Sequence, residues 1–431
     1  MRSLRPRSAL VRSSVTAGGM YGATALGIAG SLVALRVLHP EGAGRFSLAV
    51  GTAAFFQLLL ELTSDEALIK FGFRYSEQAE WGKFHRLVSL MFRFEVFASL
   101  AAGVLVAIAG VFSPTLFHTH LLEPMLLAAL LPPLQAIESM AAAALVLRRR
   151  YDVRGMFLTY SMALRLVGIV IGSQYGVTAT VIGVVVAQAL TTIAIAGVGL
   201  VALRRFPRAA PAPLAADRKP LLSFVLHSTA GTTLASLRAW AAPLVLGIVR
   251  NPTDVGLFRG AQAPLQGIAA FTAPLRLILL TEQTRDWERG NTQKIYAELR
   301  RYMIGATLLV ALAIVPLELV LPWLVKLLLG EEYAPATTAI RLILVAALIQ
   351  LVLGWTKSFP VSIGRPGLRV VAHGVETATL LPLLVVFGDL WGVTGAATAV
   401  LISTCAFALT WAVLLHRLTA GRLRPIEPAP A

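Results

Sequence analysis

His39-Pro40-Glu41-Gly42-Ala43-Gly44-Arg45-Phe46 and Asn251-Pro252-Thr253-Asp254-Val255-Gly256-Leu257-Phe258 share one frame, Pro-x-x-x-Gly-x-Phe, at an offset of 252 − 40 = 212. Each copy sits between two long apolar runs. Tyr175-Gly176-Val177-Thr178 is echoed by Trp391-Gly392-Val393-Thr394, an offset of 391 − 175 = 216, and Pro124 by Pro335, an offset of 335 − 124 = 211. Similarity at a nearly fixed period, each time at the same kind of junction, is the mark of a repeated unit.

The unit is helical and apolar. Windows bounded by Pro, Gly and charge place spans at 13–38, 45–70, 87–112, 121–147, 156–174 and 178–203, then at 221–249, 256–280, 299–325, 336–356, 367–387 and 391–416. Each approaches the roughly 20 apolar residues that cross a bilayer as a helix. Composition agrees: 57% of residues are hydrophobic and 14% charged, with a mean hydropathy of +0.74, whereas a soluble domain carries about 25% charged residues. The expected fold is an all-α polytopic membrane protein of about twelve transmembrane helices in two six-helix lobes, 1–210 and 211–431. Because six is even, the two lobes share one membrane orientation, as in parallel-repeat transporters.

A net charge of +16 raises nucleic acid as a partner, but that reading needs the cations gathered on one soluble face. Here they punctuate apolar runs. Loops alternately carry 28 of the 38 Lys and Arg on one side and 5 on the other, with 5 inside spans. Positive loops stay in the cytoplasm, so both termini are predicted cytoplasmic. Arg2, Arg5, Arg7 and Arg12 ahead of 13–38 resemble a signal peptide, yet that run is too long for a cleaved segment and reads as the first helix. The single cysteine, Cys405, excludes an internal disulfide, and no cofactor or metal is expected. Walker-type, His-Glu-x-x-His and Gly-x-Ser-x-Gly runs are absent from the sequence, and every outer loop is short, so an enzyme is not expected.

Charges at membrane depth cost about 2.5–3.5 kcal/mol or more, so a retained one calls for a cavity, a partner or a route to the interface. Arg36, Arg45, Arg341 and Glu318 lie near the outer face, and Arg93, Glu95 and Arg276 near the inner face, where long side chains snorkel. Arg238 lies about 17 residues into its span, too deep at 1.5 Å per residue to reach either surface easily. It reads as a lumenal cation, or else as one half of an ion pair with Glu376. Arg165 is similarly deep, with Glu138 as its possible counter-charge. Glu61 and Asp65 are i, i+4 and share a helix face, which makes them candidates for a coupling-ion site. His227 and His373 lie close to the inner face and receive no role.

Arg36-Val37-Leu38-His39-Pro40-Glu41-Gly42-Ala43-Gly44-Arg45-Phe46-Ser47-Leu48-Ala49 resembles the junction of helices 1 and 2 in Wzx-type polysaccharide flippases of the multidrug/oligosaccharidyl-lipid/polysaccharide (MOP) exporter superfamily. Glu66-Ala67-Leu68-Ile69-Lys70-Phe71-Gly72, Leu329-Gly330-Glu331-Glu332-Tyr333-Ala334-Pro335 and Trp391-Gly392-Val393-Thr394-Gly395-Ala396-Ala397 resemble further junctions of that family, in order along residues 10–417. The resemblance implies two six-helix lobes around a cavity and alternating access that moves a polyprenyl-diphosphate-linked glycan between leaflets. It also implies a bacterial or archaeal cytoplasmic membrane, with membrane lipids and other polysaccharide-assembly proteins as neighbours. Where relatives often carry an acidic residue in mid helix 7, this chain has Arg238-Ala239-Trp240, which favours an anionic substrate. Arginine suits a phosphate because its planar fork donates two hydrogen bonds and stays charged. Arg238, Arg165, Arg36, Arg45 and Arg276 are therefore the expected diphosphate ligands, with Glu61 and Asp65 for ion coupling. The rivals are a cation-coupled drug or metabolite antiporter on the same scaffold, a membrane-embedded glycan polymerase or ligase, and a silent scaffold whose arginines pair with Glu138, Glu318 and Glu376.

Overall fold

Pro40 ends the first helix, because a proline ring disfavours helical backbone at the residue before it. His39 takes φ 58°, ψ 171°, so α1 (Pro6–Leu60) is two helices, 6–38 and 40–60, joined at one residue. The sequence predicts a connection over 39–44; a single residue makes it. The structure is a computed structural model that describes residues 6–60, 64–214, 217–269, 272, 282–283, 286–287, 289–365 and 367–419, without the side chains of 6–17 and of several residues between 227 and 238.

The chain continues through α2 (Ser64–Glu77), α3 (Trp81–Val111), the short α4 (Ser113–Phe117), α5 (Leu122–Ala128), α6 (Leu131–Leu147), α7 (Tyr151–Ser173), α8 (Val177–Arg204) and α9 (Arg218–Val249). Then come α10 (Pro252–Ala261), α11 (Thr292–Leu328), a 3-10 turn (Glu331–Ala336), α12 (Thr337–Val352), the one-turn α13 (Phe359–Ser362) and α14 (Gly367–Thr419). Among the described residues there is no strand. Eight helical segments among the described residues are long and apolar enough to cross a membrane, and two of them, at 43 and 53 residues, are each long enough to cross twice. The second of these, α14, breaks at Gly392 (φ 57°, ψ −133°), where the sequence places the junction of the last two spans. The eighth predicted span, 256–280, is described over 256–269 and at 272. The protein is an all-α, multi-pass membrane protein, and α11 displays it directly: Leu308, Leu312, Val315 and Leu319 form a stripe of exposed apolar residues that only lipid can solvate.

One predicted helix is interrupted. The span expected over 121–147 is present as one membrane-length segment, Leu122–Leu147, with a turn at Ala129–Leu130 between α5 and α6, where Pro132 and Pro133 lack the N–H groups that would continue the ladder and open a new first turn.

Contacts divide the chain into two compact units, Met1–Trp240 and Ala241–Ala431. The division falls inside α9, beyond the 210/211 boundary read from the repeat. In the first unit, α7 lies between α1 and α8 at backbone contact. A Cβ on Gly168 or Gly183 would strike the other's backbone carbonyl, and one on Gly19 would lie 2.5 Å from the Gly155 oxygen. Thr159 Oγ1 donates to the Gly19 carbonyl at 2.9 Å across the same crossing. Without a hydrophobic drive in lipid, such close approach supplies the dispersion contacts that hold helices together.

The segment leading out of α8 is strapped to the start of α3. Phe206 nests against Trp81 and Phe84, with ring centroids 6.0 and 4.7 Å away. His85 Nε2 meets the Pro207 carbonyl at 2.9 Å, and the Ala212 N–H donates to the Gly82 carbonyl at 3.0 Å. Asp217 then reaches Arg74 at 3.7 Å and Lys83 at 3.5 Å.

The repeated motifs occupy like positions in both units. In the first, Gly42 lies against Val177, where a Cβ would sit 3.6 Å from that side chain. In the second, Asp254 lies against Gly392, its Oδ2 3.2 Å from where a Cβ would be. Gly176 and Gly392 both take positive φ, 98° and 57°, which explains glycine at both. The second unit adds a clasp, with Arg250 Nε donating to the Gly388 carbonyl at 3.2 Å and lying 3.6 Å from Asp254. Its core is aromatic: Trp355 and Trp411 meet edge to face at 5.3 Å, flanked by Phe359 and Phe407.

Candidate functional site

α7 begins at Tyr151 rather than at the predicted 156, which draws Arg154 out of the basic loop and into a helix. Its residues Arg154, Phe157, Leu158, Ser161, Met162 and Arg165 then follow helical spacing and form one face. That face walls an open cavity of about 290 Å³, lined also by Gln57 of α1, by Gln135, Glu138, Ser139 and Ala142 of α6, and by Gln188 and Ile195 of α8. The volume is at the lower end of those that hold small ligands. Polar groups here lie within membrane-spanning helices, where each needs a partner.

Arg165 stands where this cavity meets a second one of about 250 Å³, lined by Leu26, Gly27, Gly30, Ser31, Phe46, Leu166 and Ile169 together with Met162 and Arg165 itself. The first chamber is rich in amides, hydroxyls and charge. The second is lined by the side chains of Leu26, Phe46, Met162, Leu166 and Ile169, with Ser31 and Arg165 as its polar side chains. A guanidinium at the seam of two such chambers matches an amphiphile whose anionic link joins a hydroxylated part to a hydrocarbon part.

The counter-charge expected for Arg165 is engaged elsewhere. Glu138 Oε2 accepts from Gln188 Nε2 at 2.5 Å, Gln188 also donates to Thr192 Oγ1 at 3.3 Å, and Thr192 in turn donates to the Leu134 carbonyl at 3.1 Å. Among the described residues, none forms an ion pair or hydrogen bond with Arg165. Glu138, Gln188 and Thr192 were visible in the sequence only as separate polar positions, and their network needs α6 beside α8 to be seen.

The other predicted ligands are dispersed. Arg45 pairs with Glu41 at 2.6 Å, both half-exposed or more, and neither Arg45 nor the exposed Arg36 lines these cavities. Arg238 lies in α9, but its side chain is outside the described residues, as are Glu61 and Arg276. Asp65 sits in the first turn of α2, where its Oδ1 accepts the Glu66 N–H at 2.8 Å. Arg341 and Glu318 pair with each other at 3.1 Å, and Glu376 meets His373 Nδ1 at 3.0 Å. No group of three or more metal-ligating side chains occurs among the described residues.

The family model described as polysaccharide biosynthesis protein matches residues 12–276, more than half of the chain. The chain belongs to this family. None of the curated proteins compared by sequence matches it. Among solved structures, that of lipid II flippase MurJ in an inward closed conformation superposes with a TM-score of 0.74 at 12% identity, over 93% of this chain and 87% of that one. An inward-facing MATE family multidrug resistance transporter of the MOP superfamily gives 0.67 at 15% identity, over 96% and 98% of the two chains. A MOP superfamily transporter from Pyrococcus furiosus, described as having a binding pocket of reversed polarity, gives 0.59 at 16%, over 97% of each. At these identities the likeness is one of fold, and the fold is that of the MOP superfamily transporters. The resemblance read in the junction motifs is thereby borne out.

Proposed function

We propose that this polysaccharide biosynthesis family member is a flippase for lipid-linked oligosaccharides, in which Arg165 holds the anionic link of a polyprenyl-diphosphate glycan. The observation that carries the reading is the position of Arg165, without an ion-pair partner among the described residues, between a chamber of amides and hydroxyls and one lined mainly by hydrocarbon side chains. A diphosphate cannot enter hydrocarbon without replacement of its lost water. A guanidinium supplies that replacement through two charge-assisted hydrogen bonds. Sugars bonded to the diphosphate would occupy the chamber of Gln57, Gln135, Glu138 and Gln188, and the first carbons of the lipid the chamber of Leu26, Phe46 and Ile169.

Alternating access of two six-helix repeats, 1–210 and 211–431, would carry the link from one leaflet to the other, with Arg238, Arg276, Arg36 and Arg45 as further contacts and Glu61 and Asp65 as the coupling-ion site. The charge asymmetry of the loops supports both termini in the cytoplasm, and the family resemblance suggests a bacterial or archaeal cytoplasmic membrane. The protein moves its substrate without making or breaking bonds, and other polysaccharide-assembly proteins would supply and consume it. The MATE likeness favours a second reading, a cation-coupled drug or metabolite antiporter. An arginine-bearing chamber suits anions over the cationic drugs such an antiporter would move.

Proteoliposomes separate the two. Protein-dependent exposure of a fluorescent polyprenyl-diphosphate sugar to a membrane-impermeant quencher is expected, with no proton-driven movement of cationic dye. Dye transport without lipid flipping would replace the first reading by the second.

A further inference from the structure

Arg154 lines the polar chamber three helical turns from Arg165, and the sequence alone counts it as one more cation of a positive loop. Its neighbours in that basic run behave as loop cations: Arg149 pairs with Glu77 at 3.4 Å and Arg150 with Asp152 at 3.2 Å, all but Asp152 well exposed. Arg154 is half-buried, faces the chamber and forms no ion pair among the described residues. Eleven residues of helix separate it from Arg165 (165 − 154), which is three turns, or about 16 Å along the axis. One diphosphate is too short to span it. If Arg165 takes the diphosphate, Arg154 faces a different anion.

The wall between them says what joins the two. Gln57, Gln135, Ser139 and Ser161 line the chamber, and none forms a side-chain hydrogen bond with another described group. Glu138 is held in place by Gln188 as a fixed acceptor. Free amides that both donate and accept, hydroxyls that do the same and a fixed carboxylate are the set that satisfies neighbouring hydroxyl groups of a sugar ring. Phe157 and Met162 add apolar surface for the ring's C–H face. We infer that the polar chamber is a subsite for the glycan next to its lipid link, and that Arg154 selects glycans carrying an acidic sugar there. The inference rests on the flippase reading for the anion at Arg165; the selection at Arg154 is tested without transport.

The test is binding by the purified full-length protein in nanodiscs. The probes are a soluble trisaccharide containing one uronic acid, the same trisaccharide with that acid replaced by a neutral hexose, and a short-chain prenyl diphosphate. The wild type is expected to prefer the acidic over the neutral trisaccharide by about tenfold or more, the value of one charge-assisted hydrogen bond. Arg154→Gln is expected to abolish that preference and Arg154→Lys to keep part of it, at unchanged melting temperature. Equal binding or no binding of both trisaccharides by the wild type, or a preference that survives Arg154→Gln, would overturn the inference. So would a loss of prenyl diphosphate affinity in Arg154→Gln as large as the loss for the acidic glycan, because Arg154 would then serve the diphosphate. Acid preference in a protein that flips no lipid-linked sugar would sink the flippase reading and leave this subsite standing.

Discussion

Replacing Arg165 by Gln removes the charge from the seam of the two chambers and keeps a side chain of nearly the same shape. Ion-pair partners being absent among the described residues, the substitution orphans no carboxylate. Had Arg165 and Glu138 formed a buried pair, breaking it would cost about 3–5 kcal/mol, because an uncompensated charge would remain inside. Glu138 instead keeps Gln188, so the melting temperature of Arg165→Gln is expected to equal or exceed that of the wild type. Substrate binding should respond in the opposite direction. A fork that donates to a phosphate is replaced by one neutral donor, a loss of about one charged hydrogen bond, or about 1.5–3 kcal/mol. That is a fall of about 10- to 150-fold in affinity for a prenyl diphosphate, and Arg165→Lys should recover part of it. Titration of the purified variants with a short-chain prenyl diphosphate, beside thermal melts in the same detergent, reads both quantities. A melting temperature many degrees lower, with affinity per folded molecule unchanged, would refute the reasoning and return Arg165 to a structural role.

Gly183→Val would drive a side chain into the Gly168 carbonyl of the neighbouring helix, and the forced separation of α7 from α8 is expected to cost about 1–3 kcal/mol, visible as a lowered melt. Asp217→Asn removes the carboxylate that Arg74 and Lys83 share; the strap should loosen, and trypsin should cut after Arg205 and Arg208 faster than in the wild type, whereas an unchanged cleavage rate would show that Phe206 and His85 suffice. The Lys294 ammonium, 2.8 Å from Asp286, holds that carboxyl below the usual carboxylate range. A depressed folded value means the contribution is complete above the ordinary carboxylate pKa of about 3.9 and is lost as pH falls through the folded value. The acid limb of the melting profile should therefore flatten in Asp286→Asn, and identical limbs would count against the pair.

How far the sequence carried this molecule depended on whether a feature was local. The corners at His39–Pro40 and Gly392 were legible because proline and glycine act on their own backbone and their immediate neighbours. The apolar runs and the paired junction motifs were legible for the same reason, and they specified an all-α membrane fold. The turn within the fourth predicted span was missed although Pro132-Pro133 stood in plain view, since membrane helices often absorb proline without breaking. Arg165 was found by depth alone. Arg154 was not, because hydropathy opens a span at the first apolar residue whereas α7 begins at Tyr151; the spacing of Arg154, Ser161 and Arg165 along one face was the signal available. The Glu138–Gln188 contact joins residues 50 apart on different helices, and no local pattern encodes it.

The central claim, that the anionic link of a lipid-bound glycan rests at Arg165 between the two chambers, is tested most directly by photocrosslinking from inside the site. A benzophenone amino acid placed at Met162, one turn before Arg165 on α7 and lining both chambers, would be irradiated in membranes with a fluorescent prenyl-diphosphate sugar. The account predicts a crosslinked adduct that unlabelled lipid-linked sugar competes away, that a cationic drug does not, and that Arg165→Gln suppresses. An adduct that survives both competition and Arg165→Gln, or none at all in a protein that still flips the lipid, would contradict it and place the substrate elsewhere.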